Sequence, residues 1–167
     1  FEPAINGKWF ISDTRFGTMV HAKLGVAEEN SGKLVSLIRK EAKKIADKQR
    51  NDLMIVDGSP GVGCPVIASI TGADAVLIVT EPTLSGKHDL ERVARLTAGF
   101  GIKTFVCINK ADINFQISEE ITQQAKEKEL TVLEKIPYDE DFTKAQVEKT
   151  SLVEFSDGKT AAAVRNM

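Results

Sequence analysis

Two periodicities alternate along the chain, and that alternation restricts the fold more than any other feature. Residues 53–57 (LMIVD), 75–80 (AVLIVT), 103–109 (KTFVCIN) and 131–136 (TVLEKI) are short runs rich in β-branched residues. Most are too continuously apolar for a strand with one wet face, so they read as buried parallel strands. Before and between them lie helical stripes. Residues 33–50 align Leu34, Ile38, Ala42 and Ile45, residues 88–100 align Leu90, Val93, Ala94 and Thr97, and residues 117–129 align Ile117, Ile121 and Ala125. Asn30 and Ser31, Ser85, and Ser118 followed by Glu119 and Glu120 stand where first-turn amides need caps. The succession predicts an α/β, three-layer αβα fold with a mostly parallel sheet, whose ligands gather beyond the carboxyl ends of the strands.

The flanks are less regular. Residues 1–16 hold Trp9, Phe10 and Phe16 without helical period and read as an extended pair or connector; Met19–Leu24 is strand-like, an acidic loop follows, and residues from 150 onward read as a turn and a frayed terminal helix. A chain of 167 residues matches the usual size of one domain, about 150 residues. Its formal net charge of −2 gives no general attraction to nucleic-acid phosphates, so no nucleic-acid partner is expected. No apolar run reaches the roughly 18 residues of a membrane span. Cys64 and Cys107 lack metal-ligand spacing, which fits a reducing compartment, and Cys107 inside a strand reads as an inert core thiol. The basic set Arg39, Lys40, Lys43, Lys44, Lys48 and Arg50 reads as a solvated helix face.

Chemistry concentrates after the strands. DLMIVDGSPGVGCP at 52–65 ends a strand in Asp57 and runs into a loop of Gly and Pro. A carboxylate there can hold a magnesium ion directly or through water while glycine amides approach a phosphate. The same stretch also serves as a tight strand-to-helix turn with Asp57 as cap. INKAD at 108–112 offers the Asn109 amide to a purine edge and the Asp112 carboxylate to an exocyclic amine, although both types are also routine turn residues. TEPTLSGKHDLER at 80–92 presents a helix N-terminus, and in IPYDEDF at 136–142 Pro137 fixes a turn while Asp139 can cap the next helix. No phosphate loop of the GxxxxGK[ST] form is present: Gly158-Lys159-Thr160 has Val153 where the first Gly belongs, and Gly32-Lys33 is followed by Leu34.

The order and spacing of DLMIVDGSPGVGCPVIASITGADAVLIVTEPTLSGKHDLERV, FVCINKAD, IPYD and, upstream, FGTMVHAKLGVAEENSGKLV resemble the later part of MinD-superfamily P-loop ATPases with an inserted ferredoxin domain. These are relatives of ParA, Mrp and the nitrogenase iron protein, often labelled cobyrinic acid diamide synthase-like. The resemblance covers about residues 15–155. It implies a P-loop NTPase (nitrogenase iron protein-like) fold incomplete at the N-terminus, with 1–16 a connector following a missing insert and 17–167 the C-terminal part of a MinD-like domain. Asp57 is then the catalytic Walker B acid near Mg2+, Gly58, Pro60 and Gly61 belong to the second switch loop, Asn109 contacts adenine, and Pro137 and Asp139 line the base pocket. The implied cofactors are ATP and Mg2+, with 4Fe-4S clusters only in the upstream insert. The implied partners are nucleotide, a second copy of the chain, and a redox or target protein, in the cytoplasm. Because the Walker A loop and first switch precede Phe1 in this reading, the isolated chain is expected to be inactive.

Two rivals stand beside it. INKAD also resembles the guanine-specifying NKxD of GTPases, but the residue three after Asp57 is Pro60 and Gly61 is the fourth, which is the ATPase spacing. The other rival is a non-catalytic scaffold or docking domain. Cys64, seven residues after Asp57, matches in spacing a cluster-ligating cysteine of the nitrogenase iron protein; its ordinary reading is a small buried thiol before Pro65.

Overall fold

An antiparallel ribbon opens the chain in the computed structural model, which describes residues 7–24 and 31–167. Strands β1 (Lys8–Thr14) and β2 (Gly17–Lys23) pair from Lys8 opposite Lys23 to Thr14 opposite Gly17. The Phe10 ring stacks on His21 across the pair at 5.3 Å, and Ser12 Oγ lies 3.0 Å from His21 Nε2. Helix α1 (Ser31–Gln49) packs its half-buried Leu34, Ile38, Ala42 and Ile45 stripe against β2 and the short helix α2 (Cys64–Ile70). The acidic loop and its cap Asn30 lie outside the described residues, as do residues 1–6 of the expected connector. These elements make one compact unit, Phe1–Ala73, and Asp74–Met167 makes a second.

The second unit holds the parallel sheet. Strands β3 (Ala75–Thr80), β4 (Lys103–Asn109) and β5 (Thr131–Ile136) match the expected runs and lie in the order β3-β4-β5, both pairs parallel. Helices α3 (Leu84–Gly99) and α4 (Phe115–Glu127) make the crossovers. Leu90 and Ala94 of α3 and Ile121 and Ala125 of α4 bury one sheet face with Ile78, Val106 and Ile108. Helices α5 (Asp141–Val147), α6 (Leu152–Phe155) and α7 (Lys159–Asn166) pack in sequence, and α7 meets β5. Among the described residues no helix is long and apolar enough to cross a membrane.

Three expectations are corrected. Residues 53–57 join no ladder, and Leu53 and Ile55 are 75% and 83% exposed. An apolar run becomes a buried strand only where a neighbouring strand takes up its N–H and C=O groups, and no described strand pairs with this one. The caps also move upstream. Thr83, not Ser85, caps α3 by accepting from Gly86 N–H at 2.9 Å. Asn114, not Ser118, caps α4 by accepting from Ile117 N–H at 3.1 Å, while Ser118 is buried inside the helix.

The start of α3 lies hard against the end of β3. A Cβ on Gly86 would strike the Glu81 carbonyl oxygen and come within 2.8 Å of Thr80 Oγ1. Backbone cannot yield as a flexible side chain can, so Gly86→Ala is expected to cost about 1–3 kcal/mol. Urea denaturation checks this, and an unchanged midpoint contradicts the packing.

Candidate functional site

Asp57 closes the unpaired run 53–57 with an exposed carboxylate that takes no side-chain partner among the described residues. The chain then bends through Gly58, Pro60 and Gly61 to Gly63, the N-cap of α2, whose carbonyl accepts from Ile67 N–H at 3.1 Å. Gly61 has φ +88, a conformation an L side chain strains to adopt. At the far end of α2, Arg39 Nη1 of α1 donates to the carbonyls of Ala68 and Thr71, both at 2.7 Å. Arg39 therefore leaves the solvated basic face to which its spacing assigned it. It satisfies the carbonyls where α2 has run out of amides, so the helix after the Asp57 loop is held at its C-terminal end. Cys64 is exposed rather than buried. The buried face of α2 is Val66, Ser69 and Ile70, and the first residue of the helix falls on the opposite side.

Asn109, Pro137 and Asp139 follow β4 and β5 in the second unit. Asn109 is opposite Ile136 in the ladder, and Lys110 next to it adopts φ 53. Among the described residues the other non-glycine positions with positive φ, Arg50, Glu129 and Lys149, lie within two residues of a helix C-terminus, where left-handed residues are common. Lys110 instead turns the chain off a strand, and its Nζ pairs with Glu81, beyond the end of β3, at 2.6 Å. Ala111 N–H then donates to the Ile136 carbonyl at 2.8 Å, and Tyr138 N–H donates to Asp112 Oδ1 at 2.7 Å. These two bonds join the Asn109 loop to the Pro137 loop. Asp112 thus supports the neighbouring loop, a role its place in INKAD did not reveal.

Asp139 is tied in a similar way. Its Oδ1 accepts from Asp141 N–H, the first amide of α5, at 2.9 Å, although the N-cap position itself is Glu140, one residue later than expected. The Thr160 hydroxyl is also bonded to it, and this bond, with the Asp141 amide second, holds the carboxyl below the ordinary aspartate range. Thr160 belongs to Gly158-Lys159-Thr160, which opens α7 and spends its hydroxyl here. In β4, burial first and Glu134 second push the Cys107 thiol up, as suits a core cysteine.

Magnesium fits the chemistry of the donors. Among the described residues no three His, Cys, Asp or Glu side chains form a metal cage, and Mg2+ commonly needs only one or two carboxylates, with phosphate oxygens and water completing its shell. Exposed Asp57 suits that requirement. An iron–sulfur cluster does not fit this chain, whose two cysteines are fewer than the four a cluster takes and include buried Cys107.

No family model matches the chain. It is 30% identical over 149 residues to the uncharacterized protein MJ0578 of Methanocaldococcus jannaschii, covering 89% of this chain and 49% of that protein. To MJ0579 of the same organism it is 26% identical over 141 residues, covering 84% and 46%. The chain thus spans about half the length of the curated relatives it matches. Among solved structures it resembles the MinD cell division protein of Aquifex aeolicus, with TM-score 0.67, 16% identity, and 93% of this chain and 65% of that one covered. It also resembles the septum site-determining protein MinD of Pyrococcus horikoshii OT3 complexed with Mg-ADP, with TM-score 0.61, 17% identity, and coverage of 79% and 53%. The fold is that of the MinD-type P-loop NTPases.

The Asp139–Thr160 bond carries a pH dependence of definite sign. A carboxyl whose folded pKa is depressed adds stability above its unfolded value, and that stability is lost as pH falls through the folded one. Thr160→Val is therefore expected to be less stable than the parent near neutral pH, with the gap narrowing on acidification below the ordinary aspartate range. Thermal unfolding of both proteins across that range checks it, and a gap independent of pH contradicts the bond.

Proposed function

We propose that this chain is the C-terminal part of a MinD-like ATP-binding and ATP-hydrolysing domain, residues 17–167 belonging to that domain and 1–16 connecting it to an upstream insert. The observation that carries the reading is the pair of hydrogen bonds joining the loops after β4 and β5, which holds Asn109 and Pro137 at one edge of a MinD-type fold. Asp57, Gly58, Pro60 and Gly61 are assigned to the metal and the switch loop, Asn109 to the adenine edge, and Pro137 with the Asp139 turn to the side of the base pocket. The phosphate-binding amides and lysine are assigned to a segment outside this chain. When bound, magnesium neutralises charge on the phosphates. Asp57 then orients the ion, Gly61 lets the loop backbone turn toward the phosphates, and Asn109 donates to and accepts from the purine edge.

ATP is favoured over GTP by the spacing of the loop after Asp57, in which the third residue is Pro60 and Gly61 is the fourth. Cytoplasmic placement, a nucleotide-dependent second copy, and coupling to a redox or target protein through clusters in the upstream insert belong to the same proposal. No step assigned to this chain runs through a cluster.

The test uses the longer gene product, with calorimetry for binding and phosphate release for turnover. Asp57→Asn is expected to keep nucleotide binding and lower turnover by roughly two orders of magnitude, the scale of losing one electrostatic stabiliser. Asn109→Ala is expected to weaken ATP binding by about 1–3 kcal/mol. The 167-residue chain alone is expected to give no turnover above buffer. Unchanged turnover in Asp57→Asn, or a preference of the parent for GTP, overturns the assignment, and absence of any nucleotide binding favours the scaffold reading.

A further inference from the structure

Strand β4 is entered and left through left-handed turns, and the two are made by different residues. Gly101 precedes it with φ 66, a conformation open to glycine without steric cost. Lys110 follows it with φ 53, although lysine has neither glycine's freedom nor the short polar side chain with which Asn or Asp steadies such a turn. Glycine would serve at both ends if the turn alone were needed. The side chain at 110 therefore has a use of its own.

That side chain reaches Glu81, with Nζ 2.6 Å from Oε1. Glu81 is a firm anchor. Its carbonyl accepts from Thr83 N–H at 2.7 Å and lies where a Cβ on Gly86 would strike it, so the residue is pinned beneath the first turn of α3. Thr80 is opposite Ile108 and Asn109 opposite Ile136, so Asn109 leaves the ladder with Glu81 on one side and the end of β5 on the other. Ala111 N–H returns to the Ile136 carbonyl at 2.8 Å. Lys110 is thus turned out between two residues that both meet Ile136. With a strand-like φ at 110 the chain would run on extended and lose that return.

We infer that Lys110 is a positioning residue: its ion pair with Glu81 holds the left-handed turn and, through it, the orientation of Asn109 toward the base. Selectivity among purines then depends on a pair that itself touches no nucleotide. Strained conformations persist only where their surroundings hold them, and they cluster at binding sites. A part-exposed ion pair adds little to global stability and is weakened by salt, so its effect is local and shows in the choice of base rather than in the fold. The inference rests on the adenine assignment of Asn109 and adds to it the residue that aims the amide.

Calorimetry with Mg2+ on the longer gene product tests it, comparing ATP with inosine triphosphate, which carries the same phosphates but has a carbonyl in place of the 6-amino group. The ratio of the two affinities reports the base contact, because magnesium and phosphate binding cancel in it. Lys110→Met, which keeps the stem and loses the charge, and Glu81→Gln are each expected to lower the ratio by about threefold, the scale of one part-exposed ion pair. Glu81→Lys combined with Lys110→Glu is expected to restore it. In the parent the ratio is expected to fall by a similar factor between low salt and about 1 M, where the Debye length is ~3 Å, and in Lys110→Met to ignore salt. A parent that prefers ATP, with the same ratio in both single variants and at high salt, leaves Asn109 its role and overturns the inference alone. Equal losses for both nucleotides assign the pair to stability and overturn it too, as does a charge swap that restores nothing. A parent with no preference for ATP, or with no nucleotide binding, overturns the adenine assignment and the inference with it. Should the variants fail to fold, the salt dependence of the unmutated protein decides the question.

Discussion

The parallel ladder of β3, β4 and β5 is the constraint on which the second unit depends. Parallel neighbours cannot be joined by a tight turn, so each strand must be followed by a crossover that returns to the same starting edge. Helices α3 and α4 make those crossovers, and their buried residues meet Val106 and Ile108 of the central strand. One consequence is geometric. The segments leaving β3, β4 and β5 all start from the same edge, which brings Glu81, Lys110 and Pro137 into one neighbourhood although they are far apart in sequence.

Polar residues at that edge mostly hold the loops rather than wait for a ligand. Lys110 is paired with Glu81, Asp112 receives the Tyr138 amide, and Asp139 is bonded to both the Asp141 amide and Thr160. The left-handed turn at Lys110 is a local cost of order 1 kcal/mol or more that surrounding bonds must hold in place. A ligand reaching this edge meets a preorganised surface, because the loops are fastened to each other and to α5 and α7. Little of the binding energy then goes into ordering them.

The first unit uses its polar groups differently. Arg39 fastens the C-terminal end of α2, while the Asp57 loop before that helix has exposed residues and a left-handed glycine at Gly61. A loop joined to an anchored helix can change conformation without dissolving the helix, which is the mechanical requirement of a switch. Cys64 sits on the exposed side of the junction between that loop and α2.

Local periodicity determined much of this by itself. The bounds of β3, β4 and β5 and the buried stripes of α3 and α4 follow from side-chain spacing within each segment, since apolar burial every second or every third to fourth residue is a property of the segment. The carboxyl-edge loops carrying Asn109, Pro137 and Asp139 were legible for the same reason: they are whatever follows a strand. Other features needed the tertiary structure because their partners are remote. Residues 53–57 have the composition of a strand, but a ladder needs a second strand, which composition cannot supply. Ser85 and Ser118 look like caps, yet the helices begin earlier, at the turns where Thr83 and Asn114 meet the first amides. Arg39 looks like one more solvated cation until α2 brings two carbonyls to it across 29 and 32 residues. Asp112 in INKAD gives no sign of its bond to the Tyr138 amide, which the turn after β5 brings to it from 26 residues away. A residue's type fixes which bonds it can make, and only the fold decides which of them it makes.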